Sequence, residues 1–167
     1  YNEVNILEAE DRIPEATQLL KDILQSTTKR NYNQGERSYR VALLERLATL
    51  YKSVDQTEPA VSAFREMGDV DPTLNARVSA EIIDTYRSGK EFAKAQQESE
   101  AAAKKYPEDR RLRMVRDSLL AEMGKVDDAA SDMKKLLEGK GDIETWVSLA
   151  QIYEKGKRWN DMAKALD

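Results

Sequence analysis

Apolar and small residues recur along this chain at the spacing of an amphipathic helix. Positions i, i+3, i+4 and i+7 carry them in two well-separated stretches: Leu44, Leu47, Ala48 and Tyr51, and Trp146, Leu149, Ala150 and Tyr153. Residues three and four apart share one face of an α-helix, so each stretch predicts a helix with one buried face. The first stretch is followed by Ala60 and Phe64, again four apart, and then by Pro72. This order predicts a helix, a turn and a second helix.

The same markers return about every 34 residues. Large residues of the first helices stand 35, 34 and 33 apart at Tyr51, Tyr86, Leu120 and Tyr153. Small residues of the second helices stand 35 and 34 apart at Ala60, Ala95 and Ala129, and Pro72 and Pro107 stand 35 apart. Three sets of markers that keep nearly the same step indicate an internal repeat.

The spacing W-x2-L-A-x2-Y from Trp146 to Tyr153, and the copy that begins at Leu44 and is followed by A-x3-F and Pro72, resemble the 34-residue signature of the tetratricopeptide-repeat (TPR) family, with Ala at the usual Gly place. The resemblance is good over residues 41–167 and weak over residues 3–25. It implies an all-α fold, an α-α superhelix (solenoid) of stacked antiparallel helix hairpins. It also implies a concave face, lined by the first helix of each repeat, on which the family typically binds peptides or helices.

We expect a single repeat segment over residues 1–167, with approximate repeats at 1–40, 41–75, 76–109, 110–142 and 143–167. The first is divergent and the last truncated. The glycines between the helices of a hairpin, Gly89, Gly124 and Gly156, are expected where φ > 0 is often required. The chain lacks an initiator Met and both its ends look helical, so we expect it to be a segment of a longer protein.

The amino-terminal repeat carries an insertion. Residues 6–24 predict the end of one helix, a turn, and a second helix with Pro14 near its start. From Ala16 to Ala60 there are 44 residues, about ten more than one repeat, and the excess lies within residues 25–40. This polar stretch could be a long loop or an extension of both flanking helices. Extended helices are favoured because long structureless loops are uncommon in compact folds.

The repeat at residues 110–142 departs from the signature in its first helix, with Arg113, Arg116 and Asp117 where Trp, Leu and Gly are usual. Its second helix is predicted to run over residues 126–138, and the second helix of the last repeat to start at Trp159.

Composition argues against catalysis. The chain has no histidine and no cysteine, which removes the commonest general base and the thiolate ligands and nucleophiles. It has no phosphate loop and no metal-ligand constellation, and residues 138–142 (EGKGD) are too short and isolated to form such a loop. We therefore expect no enzymatic activity, no cofactor and no metal.

The net charge of the chain is −4, so it lacks the excess of basic residues that is typical of proteins that bind nucleic acid. No apolar stretch approaches membrane-spanning length.

The resemblance implies that a protein or peptide partner binds on the concave face. The residues expected to line that face are Glu45, Thr49, Lys52, Arg77, Asp84, Arg87, Arg111, Ser118, Gln151 and Glu154. These polar side chains could equally be the solvated face of amphipathic helices.

TPR proteins that grip the carboxylate terminus of heat-shock chaperones use Lys, Asn and Arg at set places in three successive first helices. The matching places here hold Glu45, Thr49, Glu81, Arg111 and Val115, so this chaperone role is not expected. A cluster of cations could receive an anionic partner, although a solvated corner between repeats is favoured: Lys104, Lys105, Arg110, Arg111, Arg113 and Arg116.

The alternative is a structural or self-assembly role, or a regulatory segment of a larger protein. Solenoid repeats expose apolar ends unless these are capped. Trp146, Trp159 and Leu166 are expected near such an end, where they could contact further repeats, a second copy or another domain. The sequence indicates neither the partner nor the compartment.

Overall fold

In the computed structural model, residues 2–139 and 141–166 are described, and they form α-helices joined by short turns. The helices are α1 (Asn2–Ala9), α2 (Ile13–Ser26), α3 (Gln34–Ser53), α4 (Thr57–Val70), α5 (Asn75–Ser88), α6 (Phe92–Lys105), α7 (Arg110–Glu122), α8 (Val126–Lys134), α9 (Ile143–Lys155) and α10 (Trp159–Leu166). A short 3₁₀ turn, Pro72–Leu74, precedes α5. The described residues contain no strand, which confirms the all-α fold class.

The chain divides within α5, after Val78, into two compact units. Unit 1 (up to Val78) contains α1 to α4 and the first residues of α5, and unit 2 (from Ser79) contains the rest. The predicted single array of five repeats stays a prediction. Residues 1, 140 and 167, which belong to the predicted first, fourth and last repeats, lie outside the described residues.

The core of unit 1 is aliphatic. Pairs of helices, α1 with α2 and α3 with α4, pack in sequence order, and α2 also packs on α3. Small residues lie where the helices approach: Ala16, Ala48 and Ala60 are each fully buried. Larger apolar side chains fill the space around them: Val4, Leu20, Leu43, Leu44, Phe64 and Met67.

Unit 2 is built on the same principle. Its core joins α7 to α10, and Ala129, Ala150 and Tyr153 from the repeat signature are part of it. Trp146 packs against this cluster and is half-buried. Its indole N–H donates to the backbone oxygen of Gly139 at 3.2 Å, which ties the side chain to the segment before α9. The expectation that Trp146 lies near an exposed end of the repeats stays a prediction.

In each helix hairpin of the described ranges, one residue of the turn has a left-handed backbone conformation with positive φ. The N–H of the residue that follows it donates a hydrogen bond to the carbonyl of the residue five positions earlier in the chain. These donors bind the carbonyls of Leu7, Tyr51, Tyr86, Leu120 and Tyr153 at 2.8–2.9 Å. Such a bond satisfies an otherwise free carbonyl at the helix end. The residues with positive φ are Asp11, Asp55, Lys90, Gly124 and Lys157.

The prediction that Gly89 and Gly156 provide positive φ is therefore wrong, and of the three turn glycines Gly124 alone does so. At the other two turns the lysine that follows the glycine takes the left-handed conformation. Gly156 is needed for a different reason, a close approach of helices. A Cβ built on it would lie 2.7 Å from Cγ1 of Val126.

The insertion is divided between a loop and one helix. Residues 27–33 form the loop, and α3 begins at Gln34 and is 20 residues long. The expected extension thus holds for α3 and fails for α2, which ends at Ser26. Asn33 and Glu36 form a reciprocal capping box that starts α3, which is a local signal for the boundary.

Arg40, in the first part of α3, ties the insertion to the fold. Its side chain is buried, and Nη1 donates to the carbonyl of Leu24 at 2.8 Å. Nη2 donates to Oε1 of Glu66 on α4 at 2.5 Å. One side chain thus joins the carboxyl end of α2 to α3 and α4.

In the third repeat, counted from residue 41, α7 forms a full helix despite its departures from the signature. The predicted second helix is wrong at its end, because α8 stops at Lys134. Glu138 instead donates its backbone N–H to Asp142 at 3.1 Å.

Candidate functional site

Unit 1 holds four of the predicted binding residues. Glu45, Thr49 and Lys52 lie on α3, three or four residues apart and therefore on one face, and Arg77 lies on α5. Arg77 Nη2 forms an ion pair with Glu45 Oε1. Thr49 donates its hydroxyl to the Glu45 carbonyl at 2.9 Å. Glu45, Thr49 and Arg77 are thus engaged with partners inside the unit.

In unit 2 the other six predicted residues line one groove. A cavity of about 580 Å³ lies between α5, α7 and α9, and Asp84, Arg87, Arg111 and Ser118 are part of its wall. The adjoining cavity, of about 310 Å³, shares Arg87 and Ser118 and adds Gln151 and Glu154. We call these two cavities together the first-helix groove.

Helix geometry explains why these residues converge. Arg111 and Ser118 are seven residues apart on α7, and Gln151 and Glu154 are three apart on α9, so each pair faces one direction. The apolar positions of the same helices, such as Leu119 and Ile152, are buried in the core. The polar stripe of each helix is thereby turned to the groove.

Most charges in the first-helix groove are compensated within the protein. Arg87 binds Asp84 Oδ1 through Nη2 and Glu122 Oε1 through Nη1, both at 2.6 Å. Burial alone would lower the pKa of the Arg87 guanidinium, but these hydrogen bonds and charges raise it. Arg111 pairs with Glu81, and Lys155 lies 3.5 Å from Glu122. The groove therefore presents paired charges and neutral polar groups to a ligand.

Several groove residues were not among those expected from the sequence. The same wall also includes Glu81, Arg110, Met114, Val115, Glu144 and Ser148. Their helical spacing from the predicted residues, as in Glu144 and Ser148 before Gln151, is the signal that could have identified them. The carboxylates of Glu45 and Glu81, which occupy two of the chaperone-clamp places, are each ion-paired with an arginine.

Asp142 positions α9 beside the groove. It caps the helix by accepting the backbone N–H of Thr145 at 3.3 Å, and its Oδ2 accepts from Arg110 Nη2 at 2.6 Å. Burial alone would raise the pKa of Asp142, but the hydrogen bonds from Arg110, Thr145 and Glu138 hold it at about 2. The cap is therefore anionic at every ordinary pH, which favours the start of a helix.

The cationic cluster expected from the sequence is divided between two faces of α7. Arg110 and Arg111 line the first-helix groove and bind Asp142 and Glu81. Arg113 and Arg116 line a separate small cavity. Lys105 lies at the end of α6, with its ammonium 5.3 Å from the centre of the Tyr106 ring.

Exposed apolar side chains are concentrated on α9 and α10. The exposed fractions are 72% for Ile143 and 41% for Val147 on α9, and 59% for Trp159 and 56% for Leu166 on α10. Single exposed apolar residues are normal, but four on two adjacent helices form a candidate contact surface.

The described residues contain no group of three or more acidic side chains that could hold a metal ion. Within the same ranges no helix has the length and apolar character needed to cross a membrane.

Comparison with known proteins places the fold. No family model matches the sequence, and no curated protein sequence matches it. Solved structures do match. MamA is 16% identical, with a TM-score of 0.59 over 97% of this chain and 89% of its own. TTC0263, a thermophilic TPR protein in Thermus thermophilus, is 20% identical, with a TM-score of 0.62 over 99% of this chain and 87% of its own.

YrrB, described as a TPR protein with an unusual peptide-binding site, is 15% identical, with a TM-score of 0.53 over 99% of this chain and 80% of its own. Identities this low establish the fold alone. The chain has the helical-repeat fold of tetratricopeptide-repeat proteins, as its sequence signature predicts.

Proposed function

We propose that this protein is a non-catalytic interaction scaffold that binds a peptide or protein partner in the first-helix groove. The observation that carries the proposal is the convergence of six predicted residues from α5, α7 and α9 on that one groove. The TPR fold supports this proposal. So does the structural neighbour YrrB, which is described as a TPR protein with an unusual peptide-binding site. A groove formed in the absence of partner costs little ordering entropy on binding.

Paired charges decide which contacts give specificity. The groove arginines already bind carboxylates, so a partner gains little by simple charge attraction and would compete with existing ion pairs. The amide of Gln151 remains to recognise a peptide backbone or polar side chain. The hydroxyl oxygens of Ser118 and Ser148 can still accept a hydrogen bond, since each hydroxyl donates to a backbone carbonyl of its own helix. An extended segment with mixed polar and apolar residues fits this wall, which also includes Met114 and Val115.

The test fills the groove without changing any charge. Ser118 borders both cavities and Gln151 borders the smaller one, so the pair Ser118→Trp and Gln151→Trp narrows the whole groove. The matched control carries Gln97→Trp and Ser131→Trp, on exposed positions of α6 and α8. Charge reversal at Arg77 or Arg87 is a poorer test, because a glutamate there would face the carboxylates that now bind the arginine.

Partners are captured from a lysate of the source organism by each form of the chain and identified by mass spectrometry. We expect a protein that the wild type and the control retain and the groove variant loses. Circular dichroism must show that all three are equally helical. A partner retained equally by all three would refute binding in the groove.

Self-association is the second candidate function, and the exposed apolar residues of α9 and α10 favour it. A second copy that covered Ile143, Val147, Trp159 and Leu166 would remove their side chains from water. Sedimentation over a hundredfold range of concentration should then show dimers that Trp159→Ser with Leu166→Ser abolishes. A monomer at every concentration would argue against this role.

A further inference from the structure

A second groove lies between α6 and α7, on another face of α7. Two adjoining cavities of about 240 and 110 Å³ share Ser99, Ala103 and Arg116. We call them the α6–α7 groove. Each is smaller than the roughly 300 Å³ at which pockets for small organic ligands begin, so they match individual side chains better than a cofactor.

The groove exists because α6 presents short side chains to α7. Ser99 and Ala103 are four residues apart and therefore share a face of α6, where no bulky group fills the space. The floor on the α7 side is apolar and includes Leu119, Leu120 and Met123. Met123 is 36% exposed, so this floor reaches solvent.

The two grooves use different stripes of α7. The first-helix groove is lined by Arg111, Val115, Ser118 and Glu122, and the α6–α7 groove by the residues that follow each of these: Leu112, Arg116, Leu119 and Met123. One residue corresponds to a rotation of about 100° on an α-helix. A ligand in one groove therefore leaves the other open.

Charge around the α6–α7 groove is mainly positive. Arg113, Arg116 and Lys125 line it. Arg116 has the carboxylate of Asp132 near it at 3.9 Å, and Asp132 also binds Lys135 at 2.7 Å. The carboxylate of Glu100, on the same wall, already accepts a hydrogen bond from Gln96 at 2.9 Å. Because the Asp132 carboxylate lies 3.9 Å from Arg116 and also binds Lys135, the Arg116 guanidinium can bind a further anion.

We propose that the α6–α7 groove binds an acidic peptide segment of a partner protein, with an apolar side chain over Leu120 and Met123 and carboxylates on Arg113 and Arg116. The apolar floor of the groove favours an apolar side chain of the peptide, and the arginines at its edge favour carboxylates. A nucleic acid is a poorer match, because such binding needs many cations along one face.

The probe is a fluorescein-labelled hexapeptide with two central leucines between pairs of glutamates, titrated with the whole chain and followed by fluorescence anisotropy. Ala103→Phe fills the groove at the residue common to both cavities, and Ala101→Phe, exposed on the same helix, is its matched control. We expect about tenfold weaker binding for Ala103→Phe, which corresponds to about 1.4 kcal/mol, and no change for the control.

Arg113→Gln combined with Arg116→Gln provides a second variant, which removes the charge and leaves the groove open. It should also weaken binding about tenfold and reduce the dependence of affinity on salt. A peptide with alanines in place of the leucines should bind more weakly to the wild type. The Ser118→Trp, Gln151→Trp variant should bind like the wild type, which separates this proposal from the function proposed for the first-helix groove.

An amide chemical-shift titration of the wild type does not depend on any variant. Shifts at residues 99–103 support the proposal, whereas shifts at residues 144–155 without shifts at residues 99–103 overturn it. It is also overturned if the probe does not bind, if Ala103→Phe and the wild type bind equally, or if single-stranded DNA or anionic vesicles bind more tightly than the peptide.

Discussion

Replacement of Asp117 by asparagine should stabilise unit 2 at neutral and alkaline pH. Asp117 is only 2% exposed, and its Oδ2 has no hydrogen-bond partner among the described residues. The residue holds the repeat position that Ala48 and Ala150 hold elsewhere, where helices approach closely. A carboxyl thus stands where the repeat requires a small apolar side chain.

Burial, followed by the charge of Asp132 on α8, raises the pKa of Asp117 from 3.8 to about 7, against the opposing charges of Arg116, Arg113 and Lys135. The folded state therefore binds this proton more tightly than the unfolded state. The protonated Asp117 carboxyl therefore contributes fully to the free energy of unfolding below pH 3.8, and this contribution falls as pH rises to about 7. At about 1.4 kcal/mol per pH unit the full loss would be about 4 kcal/mol. Relaxation and screening reduce it, and we expect about 2 kcal/mol.

The assay is urea unfolding at several pH values from 4 to 8.5, followed by tryptophan fluorescence. Both tryptophans, Trp146 and Trp159, lie in unit 2 and report on it. The difference in free energy between Asp117→Asn and the wild type should grow by about 2 kcal/mol over this range. Asp128→Asn, at an exposed position of α8, is the control and should show little change. A difference for Asp117→Asn that is equal at pH 4 and pH 8.5 would refute the reasoning.

Three further predictions follow from particular contacts. Arg40→Met should cost about 2 kcal/mol, because it removes the hydrogen bonds from the buried guanidinium to the Leu24 carbonyl and to Glu66, and hydrogen exchange of residues 13–33 should speed up; the exposed Arg37→Met should not have this effect. Lys90→Gly should raise the free energy of unfolding by about 1 kcal/mol in urea, because φ is +60° there, and a loss would contradict it. Gly156→Ala should lower the melting temperature, at a cost of about 1–3 kcal/mol, and Val126→Ala should cost less in that variant than in the wild type, because it removes the close contact.

Local sequence signals predicted the elements well. The apolar spacing and the 34-residue period located both helices of most repeats, because helix formation and the pairing of neighbouring helices depend on residues close in sequence. Capping groups gave some boundaries, such as Asn33 with Glu36 before α3. Turn glycines were less informative, since Lys90 and Lys157 take the left-handed conformation that Gly89 and Gly156 were expected to provide.

Helical spacing also predicted which side chains face the groove in unit 2, because the buried stripe of each helix determines the direction of the polar one. Helical spacing did not predict which of these side chains form ion pairs within the protein. Whether Arg87 is available to a ligand depends on Asp84, three residues away, and on Glu122, which reaches it only when α5 and α7 pack together. The cationic cluster near residue 110 was similarly divided by packing into two faces of α7.

The sequence alone therefore determined that this chain is an all-α protein of repeated helix hairpins, since periodicity and spacing are local properties that survive without knowledge of neighbours. Only the tertiary structure decided which charges are paired, which polar groups are buried, and where grooves remain open. Asp117 and Arg40 show the reason. The departure of Asp117 from the repeat signature is visible in the sequence, but its raised pKa depends on burial and on Asp132 of α8. The side chain of Arg40 reaches the Leu24 carbonyl and Glu66 only when α2, α3 and α4 come into contact.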